Sequence, residues 1–183
     1  MRGTTDWIQT YTGRMFWPLE PLADEVSIDD IAHALSQMCR FTGHCAQFYS
    51  VAEHSVRVSF IVPIEDAMWA LLHDASEAYL HDLPRPLKRA PVFGELYKQH
   101  EARLMAVICE HFGLPAAEPP SVKEADTVLL ITERRDLMAR EPEPWKDQAE
   151  PLREVIHPWH PAVAKKKFIN RFKQLETWRG SQI

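Results

Sequence analysis

Apolar residues recur at intervals of three and four along most of the chain, and that period predicts helices rather than strands. In SIDDIAHALSQMCRF, Ile28, Ile31, Ala32, Leu35 and Met38 share one face, and Ser27 stands where it can cap the first turn. SVAEHSVRVSFIVP opens with Ser50 and Glu53 at capping-box spacing, and Pro63 closes it. A third helix is predicted from Ile64 to about Tyr79, because Pro84 and Pro86 forbid continuation. A fourth runs from Phe93 to Phe112, stopped by Gly113 and Pro115. A fifth starts at a second capping box, Ser121 with Glu124, and extends to about Arg140. The last, PAVAKKKFINRFKQLETW, puts Val163, Phe168, Ile169, Phe172 and Leu175 on its apolar face. EPEPWKDQAEP and HPWHP read as loop. The pattern predicts an all-α, single-domain bundle of about six helices over residues 1–183. Residues 1–26 are expected to form an irregular N-terminal extension, and 142–183 a loop and a C-terminal helix packed on the bundle.

Composition narrows this picture. At 183 residues the chain suits one domain with its own core. A net charge of −5 argues against a broad basic face for duplex nucleic acid, while leaving room for a local basic pocket that takes a small phosphate. The three cysteines, Cys39, Cys45 and Cys109, are odd in number and lack CxxC spacing, as expected of reduced thiols in the cytoplasm. MRGTTDWIQTYTG has no apolar signal-peptide core, and no run approaches the roughly 18 apolar residues of a membrane span. No membrane partner is therefore expected. A homodimer is the general expectation for a small helical enzyme.

The chemistry concentrates in ALLHDASEAYLHDLPRPLKR, residues 70–89. On a helix, Trp69 and Glu77 lie four positions either side of His73, on its face. Asp74 points about 100° further round, beside Ala67, Ala70, Leu71 and Ala78. A carboxylate and an imidazole in apolar surroundings need a hydrogen-bonded partner or a cation to offset desolvation. His54 follows the Glu53 of its capping box, with Val51, Val58 and Ile61 marking the packed side. Asp126 is in line with Leu129, Leu130 and Leu137. Two imidazoles and two carboxylates from three helices make a divalent-metal site with open positions. Taken singly, the His-Asp pair fits a satisfied core pair as well, and Asp126 fits a first-turn acid facing the helix dipole.

Other candidates read as structure. His157 and His160 sit among prolines in a linker. Cys39, His44 and Cys45 do not match zinc spacing. His33 reads as a core or supporting histidine, and Lys165–Lys167 as the wet side of a helix. Phe168, Phe172 and Trp178 read as packing against the bundle or a second subunit.

The blocks VAEHS, LLHDASEAYLHDLPRPLK and KEADTVLL, in the order H…HD…D, resemble the HD-domain metal-dependent phosphohydrolases. They look most like bacterial 5′-deoxynucleotidases and the small phage enzymes that strip triphosphate from dATP. The resemblance covers about Ile31 to Leu137. It implies an HD-type bundle with His54, His73, Asp74 and Asp126 as ligands of one divalent ion (Mn, Co, Fe, Ni or Zn). It also implies catalytic roles for Asp74 and Glu77, with Glu77 serving the leaving group or the attacking water. Asp82 matches a substrate-contacting acid near the sugar. Arg40 and Phe41, in MCRFTGH, fall where the deoxynucleotidases carry an arginine and a tryptophan that touch the nucleotide. Here phenylalanine replaces tryptophan, and the spacing to the next histidine differs by one. Lys88, and after it Arg85, follow the proline turn and could neutralise phosphate charge. The implied partner is a small nucleotide, with deoxynucleoside 5′-monophosphates first and dATP-type triphosphates second. Signalling-nucleotide hydrolysis ranks lower, because Ala78 stands where guanosine-pyrophosphate enzymes carry another acid and the GYP of cyclic-dinucleotide enzymes is missing. A non-catalytic nucleotide-binding module is the remaining alternative.

Overall fold

The computed structural model of the chain describes residues 6–182. Helix α1 (Ile28–Gln37) packs on α2 (Val51–Ile61) and on α8 (Pro161–Gly180); α2 packs in turn on α3 (Ala67–Leu72), α7 (Pro120–Leu137) and α8. α2 is the central element: Val51, Ala52, Glu53, His54, Ser55, Val56, Val58 and Ser59 are all buried. A helix covered on nearly every side must satisfy its polar side chains internally, and that requirement decides which groups its neighbours turn toward it. Ile31, Leu35, Leu71, Leu72, Leu104, Leu129, Phe168 and Leu175 belong to one apolar core. Among the described residues no helix is long and apolar enough to cross a membrane, and all three cysteines are free.

The third predicted helix is not continuous. After a short 3-10 turn at Ile64–Asp66 and α3, the backbone tightens at residues 73–76 into bonds spanning three residues. Ala75 N donates to Leu72 O at 2.9 Å, Glu77 N to Asp74 O at 3.0 Å and Ala78 N to Ala75 O at 3.2 Å. The helix resumes as α4 (Glu77–Leu80). Three residues per turn instead of 3.6 rotates α4 relative to α3, so His73 and Asp74 stand at a joint rather than inside a regular helix.

α4 ends where His81 takes φ 70°, and Tyr97 Oη donates to its carbonyl at 2.6 Å. The proline loop contains a short helix of its own, α5 (Arg85–Lys88), with Pro86 in the first turn where a missing N–H costs nothing. α6 (Phe93–His111) is entered through a turn at Val92, φ 66°, in which Phe93 N donates to Pro91 O at 2.8 Å. A Cβ on Gly94 would stand 2.5 Å from Lys88 O, so only glycine lets α6 come this close to α5.

None of the three predicted capping arrangements forms in full. Ser50 Oγ accepts from Glu53 N at 3.1 Å, but the Glu53 carboxylate turns to Arg57 and to Trp159 N instead of closing the box. Ser27 makes no side-chain capping bond. α7 starts at Pro120, and Ser121 Oγ donates to Asp66 Oδ2 at 2.5 Å rather than capping. α7 also stops at Leu137, short of Arg140.

The described part of the 1–26 extension is partly regular, against expectation; residues 1–5 lie outside the described residues. β1 (Ile8–Gln9) and β2 (Met15–Phe16) form an antiparallel hairpin with Ile8 opposite Phe16. Phe16 is fully buried and stacks on Tyr79 with centroids 3.9 Å apart. Thr12 donates from N (2.7 Å) and Oγ1 (3.0 Å) to Asp30. At the other end Ala164 replaces Val163 on the packed face of α8; Val163 is exposed. Lys165 and Lys167 are not simply wet. They lie over the rings of Tyr11 (3.8 Å) and Trp159 (4.5 Å).

Candidate metal centre

His54 lies in the first turn of α2 with its ring fully buried. Its Nδ1 is 2.6 Å from Glu133 Oε1, on α7. Arg40 holds the other oxygen of Glu133 with Nε and Nη2, both at 3.0 Å, and places Nη1 3.7 Å from Asp74 Oδ2. Burial works against the Glu133 charge, and Arg40 and His54 outweigh it, keeping the carboxyl below its ordinary value. An ionised Glu133 holds a His54 proton on Nδ1, so that in the neutral ring Nε2 carries the lone pair. His73 is set the same way: its Nδ1 is 2.7 Å from the Ala70 carbonyl, which can only accept. Both Nε2 atoms therefore turn inward, 3.2 Å apart.

Two imidazole lone pairs facing each other at that distance need a positive charge between them. Asp74 Oδ2 is 3.2 Å from His73 Nε2 and 3.8 Å from His54 Nε2. Asp126 Oδ1, from α7, is 3.3 Å from His54 Nε2. Ligands about 2.0–2.2 Å from one ion lie about 2.8–3.6 Å from each other, and most of these separations are of that size. His54, His73 and Asp74 present ligand atoms all within 4.8 Å of one another and could hold a metal ion. The charge balance agrees. Burial disfavours ionised Asp74 and Asp126, yet the neighbouring histidines and Arg40 hold both carboxyls well below the usual carboxylate range. Asp74, Asp126 and Glu133 are then opposed by the buried guanidinium of Arg40 and, at the exposed edge, by Lys123, whose Nζ is 3.4 Å from Asp126 Oδ2. In the absence of a cation, protons compensate: burial would lower the His73 pKa, but Asp74 and Asp126 outweigh it and raise it to about 9.

Beside the cluster, Glu77 is buried, and its Oε2 has no hydrogen-bond partner. Burial, then the charges of Asp74 and Asp82, push its pKa well above the ordinary value. Lys88 Nζ approaches Glu77 Oε1 at 3.5 Å and Glu101 Oε1 at 3.0 Å. Burial works against the Lys88 charge, and Glu77 and then Glu101 outweigh it.

The structure thus brings together His54, His73, Asp74, Asp126 and Arg40, with Glu77 and Lys88 adjoining. Asp82 is half-buried and acts on Glu77 through its charge. Phe41 lies under the Arg40 guanidinium at 5.3 Å and 6.2 Å from the Trp145 ring, outside the ligand cluster. Arg85 is turned away onto Asp147. His160 caps α8, accepting from Ala162 N at 3.3 Å, and His33 stacks on Tyr11 at 3.8 Å; neither faces the cluster. Glu133 and Glu101 are the members that sequence reading missed. The signal for Glu133 was its place seven residues after Asp126, two turns along the same face of α7.

Two relatives share this chain's sequence. "Uncharacterized protein YfdR" of Escherichia coli K12 is 42% identical over 176 residues, covering 94% of this chain and 97% of the relative. The chain belongs to the YfdR family. An uncharacterized Rhodobacter capsulatus protein is 38% identical over 135 residues, 67% of this chain and 68% of its own length. No family model matches the sequence. The stretch from α1 to α7 that carries the cluster thus belongs to a chain alignable with YfdR over nearly its whole length.

Proposed function

We propose that this YfdR-family chain is an HD-type, divalent-metal-dependent phosphohydrolase of nucleotides, with deoxynucleoside 5′-monophosphates as the first substrates. The observation that carries this reading is the meeting of two Nε2 atoms, 3.2 Å apart, with the carboxylates of Asp74 and Asp126 beside a buried acid with one oxygen that lacks a hydrogen-bond partner. The H…HD…D order in the sequence supports it. His54, His73, Asp74 and Asp126 would hold one ion, and such a donor set suits manganese, iron, cobalt, nickel or zinc. A bound ion would supply Lewis-acid polarisation of a phosphoryl oxygen and acidify water near it.

The chain's own groups account for the rest of the chemistry. Glu77, protonated by burial and by the charges of Asp74 and Asp82, holds a proton for the departing sugar oxygen. Lys88, 3.5 Å from Glu77, faces the developing phosphate charge. Arg40 keeps Glu133 and Asp74 in place and offers the cation nearest an incoming phosphate. Asp82, at the mouth of the loop, meets the sugar hydroxyl.

A panel of deoxy- and ribonucleotide mono-, di- and triphosphates, with product identification, tests this. Orthophosphate release from deoxynucleoside monophosphates is expected, abolished by Asp74→Ala and reduced about 10²–10⁴-fold in kcat by Glu77→Gln. Inorganic triphosphate as the product would instead select the triphosphohydrolase alternative. Metal-loaded protein that binds nucleotides and releases no phosphorus product would leave a binding module.

A further inference from the structure

Between the C-terminal half of α2, the 152–159 segment and α8 lies a cavity of about 720 Å³. It falls within the roughly 300–1,000 Å³ of sites that enclose a small molecule, and it shares no residue with the metal cluster. Its wall carries Arg57, Arg153, Lys167 and Arg171 against one lining acid, Glu154, in a chain whose net charge is −5. Arg57 is neutralised by Glu53, at 3.0 and 2.7 Å. Among the described residues, Arg153, Lys167 and Arg171 have no carboxylate within ion-pair distance.

Arg171 and Lys167 are placed without being neutralised. Arg171 Nε donates to Ser59 Oγ at 3.1 Å and Nη2 to the Ser59 carbonyl at 2.8 Å, and the guanidinium lies 4.0 Å from the Phe60 ring centroid. Lys167 rests on Trp159. Burial lowers the Arg171 pKa, with no acid to offset it. A fixed, partly desolvated guanidinium such as that of Arg171, flanked by the exposed cations Lys167 and Arg153, is what a bound oxyanion relieves. The cavity is not only charged. Val56, Ile61 and Leu152 supply an apolar floor, and Phe60 stands 64% exposed at the rim. Asn170 and Gln174 follow Lys167 at helical spacing on the same face of α8 and bring both donors and acceptors.

We propose that this cavity is a second ligand site that binds a nucleotide, its phosphates held by Arg153, Lys167 and Arg171 and its ring set against Phe60 and the aliphatic floor. Concavity on this scale, with cations converging from α8 and the 152–159 segment, fits a small molecule. The proposal does not depend on the reaction at the metal centre.

Calorimetric titration of the full chain carrying Asp74→Ala, with ATP, adenosine and inorganic pyrophosphate as probes, tests it without consuming the nucleotide. ATP is expected to bind more tightly than either fragment, and to lose about tenfold or more in affinity at this site when Lys167→Gln and Arg171→Gln are combined. Arg153→Glu, on an exposed loop residue, is expected to act in the same direction without touching the core. ATP affinity and stoichiometry unchanged by these substitutions overturn the proposal. Pyrophosphate binding as tightly as ATP overturns the nucleotide assignment. A dimer that Phe60→Glu dissociates while ATP affinity stays intact also overturns it, because the face would then belong to a second copy of the chain.

Discussion

The carboxylate of Glu133 accepts from His54 Nδ1 and from Arg40 at the same time, so one buried acid orients the His54 ring and sets the position of the cation beside Asp74. Glu133→Gln keeps the shape but removes the charge that holds the His54 proton on Nδ1. Metal affinity, read by competition with a chelator, is expected to fall about 10–100-fold while the helical circular dichroism stays native. Unchanged affinity would mean that Glu133 only fills space. At this scale the sequence was partly legible. His54, His73, Asp74 and Asp126 stood out because each is a polar residue in an apolar stripe. Glu133 did not, because in TERRD it resembles the exposed charges next to it; a buried acid and a solvated one look alike until its partner on another segment is known. Arg40 stood out in the sequence only through the resemblance, as a nucleotide contact, and its grip on Glu133 joins positions 93 residues apart, which no local pattern reveals.

Element by element, the long amphipathic helices were readable and the joints between them were not. α6 and α8 lie close to their predicted bounds because one-sided burial imposes the helical period, and α2 does so because Ser50 and Pro63 bracket it. The break at residues 73–76 and the two-residue strands β1 and β2 are too short to leave a period. Their causes are distant: Tyr79 as a stacking partner for Phe16, and the need to aim His73 and Asp74 at α2. The approach of α6 to α5 gives a direct test at this level. Gly94→Ala would put a Cβ 2.5 Å from the Lys88 carbonyl, which is backbone and cannot swing aside. A loss of about 1–3 kcal/mol in urea unfolding is expected, together with weaker nucleotide turnover as Lys88 moves; a neutral result would show that the two helices are not held in this contact. The 152–159 segment is carried on α7 in a similar way, by Thr132 accepting from Leu152 N and Asp136 from Ile156 N. Arg135 and the Ile156 N–H hold the Asp136 carboxyl below its ordinary value against its burial. Stability from this group is therefore present above about pH 3.8 and is lost as pH falls through the lower folded-state value. Asp136→Asn is expected to cost about 1 kcal/mol at neutral pH and to flatten the acid limb of a stability–pH curve; an unchanged limb would assign acid unfolding to other carboxylates.

For the whole molecule, the bundle places an all-round buried helix, α2, at its centre and lets α3, the joint after it and α7 bring polar side chains to the single imidazole that α2 contributes from its first turn. Of the acids inside the molecule, Asp30 is satisfied by Thr12 and Glu53 by Arg57 and Trp159 N, while Asp74, Asp126 and Glu133 gather about the pair of histidines. The all-α bundle was legible from periodicity and the hairpin was not, while the convergence of three helices on one point could be expected only from the spacing of His54, His73, Asp74 and Asp126 together. The most direct measurement is the metal content of the full chain after stripping and reloading, by elemental mass spectrometry, for the native protein beside His54→Ala and Asp74→Ala. The account predicts about one divalent ion per native chain and a clear loss of it in both variants, with the fold retained. A native chain that takes up no ion, or variants that hold as much as the native chain, would contradict it.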